Sequence, residues 1–166
     1  MTRQIGGASQ SGTDMHISTV TPVLTSSTDD SYVANDFIGT STLPITFENV
    51  VEANGRSGFI LGCTLIDDAL QSVVGELWLF DTTFTAPADS AAWTVTDAFM
   101  ETFIGVIPFS TYYASAANSA SQGIPAAPLP FKCGSAVNDI YGAFVTRGAP
   151  NYDIDSLTFR LYTVEA

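Results

Sequence analysis

The run Leu77-Trp78-Leu79-Phe80 puts large apolar side chains on both sides of any strand it forms. Successive side chains of a strand point to opposite faces of the sheet, so this segment has no face to leave in water. The stretch from Phe59 to Ile66 has the same property. Phe59, Leu61, Cys63 and Leu65 fall on one face, and Ile60, Gly62, Thr64 and Ile66 on the other. An antiparallel sandwich standing alone commonly keeps one face of each sheet polar. Strands apolar on both sides must be central or covered. With only 13% of the residues charged, covering by other chains is the reading the sequence favours. That points to an assembly component before an enzyme.

The remaining elements surround these two strands. Residues 1–14 are rich in Gly, Ser, Thr and Gln and read as an extended, flexible N-terminal arm. Residues 15–166 read as a single β-sandwich domain, a length that buries roughly 70% of its unfolded surface without a disulfide or metal. Met15 to Leu24 gives a first strand that Pro22 ends early or confines to an edge. A polar connection over residues 25–42 follows, anchored by Phe37 and Ile38. Leu43 to Glu52 reads as a strand, with Leu43, Ile45, Phe47 and Asn49 on one face. The turn Asn54-Gly55-Arg56-Ser57-Gly58 predicts that the next strand pairs back as a hairpin. After the strand Val73 to Asp81, residues 82–96 form a long loop. Asp97 to Phe103 has helical spacing of Phe99, Met100 and Phe103, with Thr96 or Asp97 as cap. Strands are expected over 104–109, 129–132, 140–147 and 157–164, and residues 110–127 read as a loop carrying Tyr112 and Tyr113. The sum is an all-β, jelly-roll-like antiparallel β-sandwich of about eight strands with one short helix.

Charge narrows the function. The chain carries 17 acids against five bases, a formal net charge of −12, and the bases Arg3, Arg56, Lys132, Arg147 and Arg160 are scattered. Nucleic-acid binding needs a basic footprint, which is missing, and anionic membranes repel such a chain. Two cysteines 70 residues apart, Cys63 and Cys133, form neither a zinc motif nor a disulfide framework, though a single bridge is open if their strands face each other.

No constellation calls for catalysis or a cofactor. His16 is the one histidine and stands next to the arm, away from any nucleophile motif. Glu48, Glu52, Glu76 and Glu101 are the carboxylates a glycosidase would have to pair, with Trp78 and Trp93 as sugar platforms. Acids on outer strand faces are the simpler account. Asp67-Asp68 and Asp153-x-Asp155 fall short of the oxygens calcium needs, and Asp153 and Asp155 read as turn caps. What remains is surface. Phe99, Phe103, Tyr112, Tyr113 and Tyr152 lie in or beside loops, where aromatics serve interfaces or plug the ends of a sandwich. With Arg3, Gln4 and Ile5 of the arm and His16, they are the candidate interface residues.

Several stretches carry a resemblance. Phe47-Glu48-Asn49-Val50, the run from Asn54 to Asp67, Glu76-Leu77-Trp78-Leu79-Phe80-Asp81, Ile104-Gly105-Val106-Ile107-Pro108, Leu129-Pro130-Phe131-Lys132, the run from Ile140 to Pro150, and Leu157-Thr158-Phe159-Arg160-Leu161 resemble segments of tailed-bacteriophage structural proteins. Over residues 43–164 the chain is similar to capsid cement or decoration proteins. The resemblance implies a virion protein on the capsid exterior, made in the bacterial host cytoplasm. Such a protein bridges neighbouring major capsid protein subunits as a symmetric homo-oligomer, a dimer or trimer. The alternative is a carbohydrate- or receptor-binding β-sandwich module of a virion, tail-associated or on a head fibre, using Trp93, Tyr112 or Tyr113 as platforms.

Overall fold

Two antiparallel sheets face each other in a computed structural model that describes residues 14–24, 32–153 and 156–166. In chain order the strands are β1 (Met15–Val20), β2 (Phe37–Ile38), β3 (Ile45–Phe47), β4 (Ser57–Asp67) and β5 (Gly75–Phe80). A single turn of helix, α1 (Asp97–Met100), precedes β6 (Phe103–Phe109), β7 (Tyr112–Ala114), β8 (Ser119–Gly123), β9 (Leu129–Lys132), β10 (Ile140–Thr146) and β11 (Leu157–Glu165). The first sheet runs β1-β11-β4-β8-β7, with β9 also on β4. The second runs β2-β10-β5-β6, with β3 also on β10.

The pairing is that of a jelly roll. β1 lies beside β11, β2 and β3 beside β10, β4 beside β8 and β9, and β5 beside β6, and every pair is antiparallel. Merging β2 with β3 and β8 with β9, and setting aside the short β7 at the sheet edge, leaves eight strand positions that wind between the two sheets as a jelly roll requires. β1 is an edge strand that ends before Pro22, as its sequence requires.

Three expectations are corrected. Residues 54–58 do not close a hairpin. β3 belongs to the second sheet and β4 to the first, so the chain turns a corner between sheets there. Gly55, at φ +74, makes that corner and donates its N–H to the carbonyl of Val137 at 3.0 Å. Residues 110–127 are not a plain loop, because β7 and β8 pair as a ribbon at the far edge of the first sheet. Helix α1 stops at Met100, and Thr96 sits at its N-cap without a side-chain hydrogen bond.

The faces of β4 are also not the simple alternation of the sequence. Tyr162 of β11 pairs with Gly62 but Thr163 pairs with Ile60, which leaves Leu61 as an extra residue. This bulge switches the phase of the strand. Gly58 and Ile60 point inward before it, and Cys63, Leu65 and Asp67 point inward after it. On the other side of β4 the partner strand breaks at the same level. β9 pairs with residues 57–60 and β8 with residues 63–67.

The main core lies between the sheets, built from Ile60, Leu65, Leu77, Leu79, Phe109, Phe144, Phe159 and Leu161 among others. A second apolar cluster lies outside the second sheet. Phe37, Phe80, Phe84, Ala86 and Ala143 are buried there, with Trp78, Trp93, Phe99 and Phe103 packed against them. Residues 81–103 therefore cover the outer face of β5 and β10. The two-faced strand Leu77–Phe80 is covered by its own chain, not by another. Cys133 lies just past β9, donating its N–H to Arg56, seven positions along β4 from Cys63. At about 3.3 Å per residue that separation excludes a bridge, and both thiols are free and buried. Burial pushes the Cys133 thiol up to about 11.

Candidate functional site

The outer face of the first sheet has no cover among the described residues. Its outward side chains form rows across the strands. One row runs Met15, Val164, Phe59 and Pro130 over β1, β11, β4 and β9. The next runs Ile17, Tyr162 and Gly62. Met15, Ile17, Phe59, Leu61 and Ile124 are respectively 64, 59, 41, 38 and 69% exposed. Tyr162 and Val164 are half-buried, and the Tyr162 hydroxyl lies 3.0 Å from Oγ1 of Thr64. A shallow groove of about 300 Å³ crosses this patch, walled by Met15, Leu61, Ile124 and Tyr162. Its floor is Gly62, where a Cβ would come within 2.8 Å of the Gly123 carbonyl oxygen. The bulge creates the site, because it turns Leu61 and Gly62 to the same side.

The interface residues named from sequence are scattered around the fold. Tyr152 is fully buried, packed on Tyr32 with ring centroids 6.2 Å apart, so it is a core residue and not a surface one. Phe99 and Phe103 are half-buried in the outer cluster, Phe99 5.8 Å from Phe84 and Phe103 5.5 Å from Trp78. They hold the cover down. Tyr112 is half-buried and donates its hydroxyl to the Val73 carbonyl at 2.5 Å. Tyr113, at 71% exposure, is the one aromatic of this set open to solvent. Arg3, Gln4 and Ile5 lie outside the described residues.

His16 belongs to a small ionic cluster at the β1–β11 end. Its Nε2 lies 3.9 Å from Oε2 of Glu165 and makes no hydrogen bond. Glu165 also accepts the Glu52 N–H at 2.9 Å and is ion-paired with Arg56. The Glu52 N–H, with Arg56 and His16 adding their charge, holds the Glu165 carboxyl below the usual carboxylate range. The cluster ties β1 to the corner that precedes β4.

Three of the groups weighed for chemistry from sequence, Glu76, Asp67 and Trp93, have structural partners. Glu76 is ion-paired with Arg147 and accepts the Trp78 indole N–H at 3.1 Å. Asp67 is fully buried and accepts the N–H groups of Ala69 and Ser72, at 3.1 and 2.6 Å, and the Ser119 hydroxyl at 3.3 Å. It caps its turn. Trp93 is no free sugar platform, because Phe37 stacks on it at 6.1 Å and Trp78, Phe80 and Phe84 crowd its edges. Among the described residues no group of three or more His, Cys, Asp or Glu side chains is placed to hold a metal, and no helix is long and apolar enough to cross a membrane.

The residues that sequence reasoning passed over are Met15, Ile17, Leu61, Ile124 and Tyr162. The signal was present in the apolar outward half of β4. It was read as burial because the bulge that sorts its residues leaves no mark in one strand taken alone. No protein-family model matches the chain, and no curated protein matches it in sequence.

Proposed function

We propose that this protein is a virion structural component of a tailed bacteriophage, a cement protein that binds the assembled capsid from outside. The observation that carries the reading is the unequal treatment of the two sheets. Residues 81–103 cover the outer face of the second sheet, and among the described residues that of the first sheet is bare and apolar. Monomeric soluble proteins rarely expose a contiguous apolar patch unless it is an interaction site. The resemblance of residues 43–164 to decoration proteins gives the setting, and the jelly roll is a frequent architecture of virion proteins.

Function on this reading is mechanical. A ligand that binds only the assembled shell stabilises the shell by mass action, and several weak contacts per oligomer add through avidity. Residues 1–14 and the loops at the sandwich ends supply the capsid contacts. Co-sedimentation with purified capsids tests this. Binding at a fixed number of copies per shell, lost when residues 1–14 are deleted, is the expected result. Absence of binding to any shell of the producing phage would overturn the reading.

A further inference from the structure

We propose that the outer edge of β1 takes an extended strand from a different protein, apolar opposite Met15 and Ile17 and acidic opposite Thr19. The inference deepens the assembly reading. It rests on that reading for the source of the strand, a segment of the capsid subunit.

The phase of the ladder exposes the edge. Glu165 donates its N–H to the carbonyl of Asp14, the residue directly opposite, at 3.2 Å. In an antiparallel pair such bonded positions alternate with unbonded ones. His16, Ser18 and Val20 therefore turn their N–H and C=O groups toward β11, and Met15, Ile17 and Thr19 turn theirs away from the sheet. β11 is the one strand paired with β1, and among the described residues no backbone group bonds to its other side. The remaining edges carry devices that stop a strand from joining. β2, β3 and β7 have two or three residues, and β9 carries Pro130. β6 carries Pro108, and Ile104 is an extra residue between the pairs Gly105–Leu79 and Phe103–Phe80. β1 has six residues in even register, without proline, Lys, Arg, Asp or Glu.

Side chains then select the occupant. A strand added to this edge extends the outward rows of the first sheet by one position. Opposite Met15 and Ile17 it meets exposed apolar side chains. Thr19 lies opposite Arg160 of β11, which is exposed and has no ion partner among the described residues. A residue opposite Thr19 lies two strand spacings, about 10 Å, from the Arg160 backbone, a gap that a glutamate and an arginine side chain span together. A second copy of β1 supplies no acid at that position, and a net charge of −12 opposes its approach. In such a contact main-chain hydrogen bonds give affinity, and alternate side chains give specificity.

The probe is the peptide acetyl-Thr-Glu-Thr-Val-Thr-Ile-Thr-amide, which antiparallel to β1 sets its Glu, Val and Ile opposite Thr19, Ile17 and Met15. Amide NMR of the full chain reads the result. The peptide should bind with a Kd of about 1 mM or lower and slow hydrogen exchange at the Met15, Ile17 and Thr19 amides. Thr19→Pro removes an edge donor and spares the ladder to β11, so it should weaken binding at least tenfold. Arg160→Glu should reverse the preference, favouring the same peptide with Lys in place of Glu. Far-UV circular dichroism confirms that each variant is folded. No binding, or binding indifferent to both variants, would overturn the proposal. So would slow exchange of those three amides in the free monomer, which would give the edge to the chain's own residues 1–13. A dimer mass in sedimentation that Thr19→Pro abolishes would give it to a second copy and overturn the proposal as well. Capsids that bind the Thr19→Pro protein as they bind the parent would sink this inference alone. Peptide binding at the edge, with no binding to any shell of the producing phage, would sink the cement reading alone.

Discussion

The rings of Phe144 on β10 and Phe159 on β11 meet across the sandwich with centroids 5.3 Å apart and planes at 62°. Phe109 closes the group at 6.1 Å from Phe144 and 6.4 Å from Phe159. All three are fully buried, and edge-to-face contact adds to the area they remove from water. Phe159→Ala should cost about 3–5 kcal/mol by urea denaturation. A loss under about 1 kcal/mol would mean that the sheets do not pack there.

The bulge at Leu61 makes a sharper prediction. Deleting Leu61 removes the extra residue and leaves a regular ladder in which Gly58, Ile60, Cys63, Leu65 and Asp67 all still point inward. That deletion should keep the cooperative thermal transition, while deleting Gly62 as well, which throws the two halves of β4 out of phase, should abolish it. A single deletion that loses the transition would show that the bulge itself is needed to hold the strand.

Trp93 is the centre of the cover over the second sheet, in contact with Phe37, Trp78, Phe80 and Phe84. Trp93→Ala should cost about 3 kcal/mol and raise binding of a hydrophobic dye, since the outer face of β5 loses its cover. Loss of stability without new dye binding would mean that residues 81–103 settle back over the sheet without their central ring.

Acid stability depends in part on Glu76. Its hydrogen bond from Arg147, helped by the Trp78 N–H, holds the carboxyl below its ordinary value of 4.5. A carboxyl lowered by folding contributes stability that is full above the ordinary value and is lost as pH falls through the folded one. Glu76→Gln should therefore flatten the loss of stability below 4.5 and cost less than about 1 kcal/mol at neutral pH, because the pair is partly exposed. Stability measured by urea from neutrality down to about pH 3 checks both. An acid limb unchanged in the variant would remove Glu76 from the account.

The elements that could be read from sequence are those whose signal is local. β5, β6, β10 and β11 carry runs of apolar or alternating residues, and their positions match the expectation to within a residue or two. What depends on distant pairing was not legible. The Asn54-Gly55 turn looks the same whether the chain folds back within a sheet or crosses to the other one, and only the pairing of β3 with β10 decides. β8 is built from Ser, Ala, Gln and Gly, a composition that reads as loop, and its ladder with β4 makes it a strand. At the surface, Tyr152 looked like a loop aromatic because its neighbours in sequence are polar, yet Tyr32, from 120 positions earlier, covers it. The bare face went unread because its residues come from four separate strands and the break between β8 and β9.

β11 occupies the middle of its sheet, between the edge strand β1 and the long β4. The last strand of the sandwich among the described residues is thus the one that joins the first to the rest. Until residues 157–165 leave the ribosome, β1 has no neighbour and β4 lacks one side, while the second sheet already has all its strands. The first sheet closes only once residues 157–165 are available, in a late step that pairs Met15 with Val164, 149 positions apart.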